Sequence, residues 1–388
     1  MKVAHRVTQI TPSATIAVKR AADELKRRGI SVIDLGPGEP DFPTPEHIKR
    51  AAEEALAQNF TKYTAETGIW ELRDAIAQKY NREYETHYAA ENVLVTSGAK
   101  QALYNIAAAL FEPGDEVLIP IPYWVSFPEQ IKLVGAKPVF LHPAKNFQLS
   151  AELIKEHITP HTRALILNSP NNPAGTVLSR KDLQEIIELA QRHRLFVIYD
   201  ECYEKFIYEG KHVSAVEFDT EHVIAVSSAS KTYAMTGWRV GWSVAPKELT
   251  RAMATLQGHA TSHTSSISQK AALAALTGDQ SCVERMLAEY RRRREVALNE
   301  LKKIPEITCP VPQGAFFLFP DVSRFFNEKI QNSVELARYL LEQAHIAVVP
   351  GAAFGADRCV RISYATSIEN VREGLRRFAQ ALERLRHD

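Results

Sequence analysis

Between residues 93 and 245, short apolar runs alternate with longer amphipathic stretches, and this alternation leaves few folds open. The strand-like pieces are Val93–Thr96, Glu116–Pro120, Lys137–Leu141, Arg163–Asn168, Leu195–Asp200, His222–Ser227 and Val240–Ala245. Helical patterns such as Lys100–Leu110, Val125–Val134, Ala151–His157 and Arg180–His193 separate most of them. Buried strands joined by helices predict an α/β fold, with a mainly parallel seven-stranded sheet between helices. In such sheets ligands sit beyond the carboxyl ends of the strands.

The flanks read differently. Val3–Thr15 reads as an extended arm, Ile16–Arg28 as a helix with Gly29 at its C-cap, and Ser31–Leu35 as a short strand. The turn-rich loop Gly36–Pro45 marks a domain boundary. Glu46–Asn59 and Trp70–Tyr80 read as helices, and Asp279–Leu301 as a long one. That long helix carries the basic run Arg291–Arg294, expected to face solvent. Strands Gly314–Leu318, Ala347–Val349 and Cys359–Ser363, with helices Ser333–Ala344 and Ser367–Leu385, suggest a smaller α+β domain. The expected division is residues 1–44 as arm and part of the small domain, 45–295 as the large domain, and 296–388 as the C-terminal small domain.

Composition excludes some classes. Across 388 residues, 47 basic against 46 acidic side chains leave a net charge of +1. No global field therefore argues for nucleic acid or a membrane surface. The four cysteines are scattered, without metal-ligand spacing, and read as reduced thiols. No apolar run reaches membrane-spanning length, and a cytoplasmic protein is expected.

The chemistry-bearing residues gather at strand ends. After the run ending at Ser227 come Ser228, Ser230 and Lys231, then Arg239. Burial would lower the pKa of a lysine there and free a nucleophilic amine, one able to form a Schiff base with a carbonyl. Two hydroxyls and a guanidinium suit a phosphate. The plain alternative is a surface lysine in a serine-rich loop. Ser97-Gly98-Ala99-Lys100 opens a helix after another strand, where free backbone N–H groups can bind phosphate, or merely form a turn. Asp200 ends a third strand, and a carboxylate there needs a partner, a protonated pyridine nitrogen being one. Asn172 stands between prolines, which fix its amide or merely form a turn; Trp124 lies in a Pro-rich loop, free to stack on a planar ring or to pack in the core; and Arg361 sits inside an apolar strand where a buried guanidinium wants an anion, either a substrate carboxylate or a structural salt-bridge partner.

Residues 228–241, SASKTYAMTGWRVG, together with Asn171-Asn172-Pro173-x-Gly175, Asp200-x-x-Tyr203 and Arg361, resemble the fold type I, class I pyridoxal-phosphate-dependent aminotransferases. The likeness runs from Pro12 to the last helix and is strongest to the bacterial aspartate and aspartate–prephenate subgroup. It implies pyridoxal 5′-phosphate as cofactor, Lys231 as the Schiff-base lysine and proton shuttle, and ping-pong transfer. It implies Asp200 on the pyridine nitrogen, Tyr203 and Asn172 on the ring oxygen, and Trp124 on the ring face. It places Gly98, Ala99, Lys100, Ser228, Ser230 and Arg239 around the phosphate, and Gly38 and Arg361 on the substrate α-carboxylate. Tyr63 resembles a residue reaching the phosphate of the partner subunit in a homodimer. Ser13, Thr15 and Lys100 match positions that hold a second carboxylate, which makes aspartate with 2-oxoglutarate the expected pair.

Two departures stand out. Thr11 stands where prephenate-active relatives often carry a lysine, and His263 stands where relatives have a smaller residue, in a segment that reaches the partner's site in those relatives, so that binding an acidic or aromatic substrate side chain and capping a helix are both open to it. An aromatic or broad aminotransferase, prephenate included, is the first alternative, and a lyase or decarboxylase on the same cofactor the second. A transcription regulator would need a DNA-binding domain ahead of motifs that begin by Ser13.

Overall fold

The computed structural model describes residues 3–143 and 145–387. Its strands are β1 (Ile33–Asp34), β2 (Val93–Thr96), β3 (Glu116–Pro120), β4 (Lys137–Leu141), β5 (Thr162–Asn168), β6 (Phe196–Asp200), β7 (Val223–Ser228), β8 (Gly241–Val244), β9 (Phe317–Leu318), β10 (Ile346–Ala347), β11 (Val349–Pro350) and β12 (Val360–Ser363). The main sheet has seven strands in the order β2-β8-β7-β6-β5-β3-β4. Every pairing is parallel except those of β8, which runs antiparallel to β2 and β7. The expected mainly parallel sheet is present.

Alternation sorts each strand's side chains onto two faces. Leu118, Leu165, Val197, Tyr199, Ala225 and Trp242 pack on one side, against helices Glu46–Ala57, Trp70–Tyr84 and Arg180–Arg192. Val117, Ile119, Ile166, Ile198, Ile224 and Val226 pack on the other, against Ala99–Leu110 and Lys247–Ala260. The run VIAVSS of β7 is buried at every position, as a central parallel strand requires. Helix starts use local side-chain caps: Ser179 Oγ accepts from Asp182 N at 3.1 Å and Asn332 Oδ1 from Glu335 N at 2.9 Å.

A separate aromatic core gathers Tyr290, Phe316, Phe317, Tyr364 and Phe378 around a three-stranded antiparallel sheet, β11-β12-β9. β1 pairs with β10 in parallel, so residues near the start of the chain complete this C-terminal unit.

Several expectations change. The arm Val3–Thr15 is not wholly extended: His5–Thr8 is one helical turn and the next helix begins at Ala14. The single strand expected at Ala347–Val349 is split into β10 and β11, which join different sheets. Helices Lys247–Ala260 and Ser266–Thr277 lie outside the helical patterns expected from the sequence. The second is alanine-rich, and its contacts are small: Ala271, Ala272 and Ala275 meet Ile48 and Ala52.

The run Arg291–Arg294 does not simply face solvent. Successive helical positions turn through about 100°, so two of the four arginines land on the inner face. Arg293 reaches Asp41 at 2.7 Å and Glu289 at 2.9 Å, while Arg294 donates to the Pro312 carbonyl at 2.6 Å. Among the described residues no helix is long and apolar enough to cross a membrane, and no cluster of three or more His, Cys, Asp or Glu could hold a metal.

Candidate active site

The carboxyl ends of β5, β6 and β7 open into a cavity of about 550 Å³. Lys231 lies on the short helix Ala229–Thr232 that follows β7. Its side chain is half-buried because it borders the cavity, yet protein packs closely round the amine. Burial lowers its pKa to about 8, with Cys202 and Glu39 pulling upward and Arg361 and Arg239 pushing down. Nζ donates to the Gly38 carbonyl at 2.5 Å.

Asp200 ends β6 on the same wall and is 5% exposed. Burial raises its pKa to about 6; bonds from the Cys202 N–H and thiol pull it down, and Glu201 pushes it up. Oδ1 accepts the Cys202 N–H at 3.1 Å. Among the described residues it forms no ion pair, and the Lys231 amine lowers it least of these influences, so a buried carboxylate faces the cavity without a paired cation.

The glycines explain how three segments converge. Gly98 starts helix Ala99–Leu110 with φ +84°, and a Cβ there would strike the Arg239 guanidinium. A Cβ at Gly241 would collide with the backbone of Gly98 and Ala99, and Gly241 pairs with Ser228 in the sheet. Ser228, Arg239 and the N-terminus of a helix therefore meet at one place. Arg239 itself has φ +57° and donates to the carbonyls of Thr236 at 2.9 Å and Ser97 at 3.2 Å. Lys100 stands over the Trp124 ring at 4.9 Å, and burial and Arg239 lower its pKa.

Arg361 on β12 is 2% exposed. It donates to Asn172 Oδ1 at 2.9 Å and to the Gly36 carbonyl at 2.7 Å, while its buried Nε has no partner among the described residues. Burial lowers its pKa to about 10. The Asn172 N–H in turn donates to Asn168 Oδ1 at 2.7 Å. Tyr203 packs on Phe316 and Phe317, and burial raises its phenol pKa. Gly38 leaves the guanidinium accessible: a Cβ there would lie 3.6 Å from both terminal nitrogens.

Of the residues singled out in the sequence, Ser13, Thr15, Gly38, Ala99, Lys100, Trp124, Asn172, Asp200, Tyr203, Ser228, Ser230, Lys231, Arg239 and Arg361 share this cavity wall. Gly98 stands directly behind it. Ser13 starts helix Ala14–Arg27 without capping it, so its hydroxyl is not committed to the helix. Tyr63 and His263 are not part of the wall. They pair edge to face at 5.6 Å, with Tyr63 91% exposed. His263 Nδ1 lies 2.7 Å from the Thr264 carbonyl, an acceptor, so that nitrogen carries the proton.

Sequence reasoning missed Lys19, Glu39, Cys202 and Thr236, which also border the cavity. Glu39 accepts from Thr236 Oγ1 at 2.8 Å and lies 3.8 Å from Lys19. The spacing Thr15 to Lys19, one helical turn, was the available signal for Lys19.

The donor set fits pyridoxal 5′-phosphate: an amine of lowered pKa, a buried acid without a cation, and a cradle of hydroxyls, guanidinium and helix N-terminus within one cavity.

The sequence pattern of the family Aminotransferase class I and II matches residues 30–378, and the chain belongs to that family. It is 42% identical to the aspartate aminotransferase of Geobacillus stearothermophilus, covering 99% of each chain. It is 43% identical to the aspartate/prephenate aminotransferase of Thermus thermophilus, over 98% of this chain and 99% of that one. The solved structure of Thermus thermophilus aspartate aminotransferase with maleate superposes at a TM-score of 0.95, with 42% identity, covering 98% of this chain and 100% of that one.

Proposed function

We propose that the chain is a pyridoxal 5′-phosphate-dependent transaminase that moves the amino group of L-aspartate to 2-oxoglutarate. The observation that carries this reading is the shared cavity of Lys231, Asp200 and Arg361, each pushed by burial toward its neutral form. The cofactor supplies an aldehyde for amines and a protonated ring that draws off the electrons of a broken Cα–H bond.

The protein's own part is binding and proton handling. Asp200, ionised above about pH 6, would hold the ring nitrogen protonated. Tyr203 and Asn172 would hold the ring oxygen, and Trp124 would supply an aromatic surface for the ring. Ser228, Ser230, Arg239 and the helix start at Gly98, Ala99 and Lys100 would hold the phosphate. Arg361, with the close approach allowed at Gly38, grips the substrate α-carboxylate in a two-pronged contact. Lys231 would take the Cα proton as general base and return it two atoms on, at the carbon on the far side of the nitrogen; a pKa of about 8 keeps part of it neutral at pH 7. Lys100, Ser13 and Thr15 receive the second carboxylate.

Tyr63 and His263 stand outside their own cavity, which supports a homodimer in which each subunit lends this pair to the other's site. The setting proposed is the cytoplasm. A second reading, an aromatic or broad-specificity aminotransferase that also takes prephenate and its cyclohexadienyl amino product, is favoured by the apolar wall at Ile16, Trp124 and Val125.

The test is a half-reaction with aspartate, glutamate, alanine, phenylalanine and arogenate, on wild type and Lys231→Ala. Aspartate should turn over fastest, and Lys231→Ala should lose both turnover and the visible absorbance of the lysine-bound cofactor. An unchanged visible spectrum in Lys231→Ala would overturn the assignment.

A further inference from the structure

The turn that carries Asp200 and Tyr203 toward the cavity carries two other acids away from it. Asp200, Cys202 and Tyr203 border the cavity, whereas Glu201 and Glu204 do not. The turn is tight: the Glu204 N–H donates to the Glu201 carbonyl at 2.9 Å, and the Glu201 N–H to the Val226 carbonyl at 2.9 Å. Glu201 is wholly buried and Glu204 is 5% exposed.

Both acids are met by helix Trp70–Tyr84. Glu201 accepts from Tyr80 Oη at 2.6 Å, and His212 Nε2 lies 2.9 Å away on its other oxygen. Glu204 takes Lys79 Nζ at 2.8 Å and Tyr84 Oη at 2.9 Å. Lys79, 4% exposed, also reaches Glu83 at 3.3 Å, which pairs with Lys205 at 2.8 Å. Burial disfavours both charges of the Lys79–Glu204 pair, yet each holds the other ionised.

Buried ion pairs seldom outperform a well-packed apolar replacement in stability alone. What such a network supplies distinctively is a fixed arrangement and a fixed field. Here both act on a segment only one residue away from Asp200 and Tyr203.

We propose that Glu201 and Glu204, held by Lys79, Tyr80, Tyr84 and His212, are positioning residues that set the placement and electrostatic setting of Asp200 and Tyr203. This rests on the transaminase reading above. The ionisable groups acting on Asp200 are Cys202 and Glu201 on its own segment and Lys231 beyond β7, with burial the largest influence. Across the wall, Tyr203 and Arg361 face each other, and Glu39 and Arg239 act on Lys231. A negative charge behind the turn helps the site hold its proton, and a positive one there opposes it.

The sign gives the test. The holoenzyme is titrated with pH, following its visible absorbance, and binding of pyridoxal 5′-phosphate to the stripped protein is measured alongside. Glu201→Gln and Glu204→Gln should lower the pH midpoint by roughly half a unit or more, and Lys79→Met should raise it. The charge-neutral pair Lys79→Met/Glu204→Gln should return close to wild type. All single variants should weaken cofactor binding several-fold.

Shifts of the same sign in all variants would overturn the proposal, as would wild-type midpoints and affinity accompanied only by a lower melting temperature. If Lys79→Met does not fold, comparison of Glu204→Gln with the double variant isolates the same charge. A wild-type protein that binds no pyridoxal 5′-phosphate would sink the transaminase reading itself, a result distinct from either outcome above.

Discussion

Asp200→Asn should make the cofactor-stripped protein more stable while disabling the enzyme. In the folded chain burial raises the Asp200 carboxyl from 3.8 to about 6. That is about two pH units, or about 3 kcal/mol at 1.36 kcal/mol per unit. The folded value exceeds the unfolded one, so the folded chain holds the proton more tightly. Folding takes up a proton between about pH 4 and 6, stability falls as pH rises through that window, and the full cost is present above it. Asparagine is neutral throughout and carries no such cost. The variant should therefore exceed wild type by up to about 3 kcal/mol at pH 8, and by about half that at pH 5. Urea unfolding of both stripped proteins at pH 5 and pH 8, at one protein concentration, measures the difference. The same variant, lacking the acid for the ring nitrogen, should lose turnover by orders of magnitude. An equal stability difference at both pH values, or none at pH 8, would refute the view that Asp200 stands buried without a cation.

Two further outcomes follow from the cavity and the surface beside it. Lys100→Ala removes a charge-assisted bond worth about 1.5–3 kcal/mol, so kcat/KM for aspartate should fall by roughly 10- to 100-fold and that for phenylalanine far less; equal losses in steady-state assays would count against a role for Lys100 in reading the second carboxylate. Tyr63→Phe alters a side chain 91% exposed in one chain, yet it should weaken pyridoxal 5′-phosphate binding by about 5- to 10-fold through the neighbouring subunit; unchanged affinity by fluorescence titration would remove Tyr63 from the site.

The sheet was legible because its strands announce themselves twice, by apolar runs and by the residues that end them. Asp200, Asn168 and Ser228 each close a run, and the parallel order brings those ends together. The cradle at Gly98 was legible as a helix start, but its fit to Arg239 was not, since 141 positions separate two residues that touch only through the β2–β8 pairing. Glu39 and Thr236 illustrate what local sequence cannot give. Neither has a spacing signature, and their bond at 2.8 Å depends on a loop from the first forty residues folding over β7. Arg293 was misread for a related reason: a basic run suggests solvent, and Asp41, on a distant loop, joins Glu289 one turn earlier to make burial tolerable.

The same physical pressure acts on most of the ionisable groups around the cavity. Burial lowers Lys100, Lys231 and Arg361 and raises Asp34 and Asp200, so in the chain alone both cations and acids are held away from their preferred charge states. Direct pairing would relieve that tension, and β12 and β6 could have been arranged to bring Arg361 against Asp200. Instead Arg361 is bonded to an amide and a carbonyl, and Asp200 to an N–H and a thiol, all neutral groups that orient without neutralising. Charges so oriented and so unsatisfied would form a stronger site for a zwitterionic amino acid and a phosphorylated pyridinium ring than paired ones, because no ion pair must be broken before binding. The stability forfeited at Asp200 and the affinity expected at Arg361 then have one origin, and a variant that relieves the first should weaken the chemistry that depends on it.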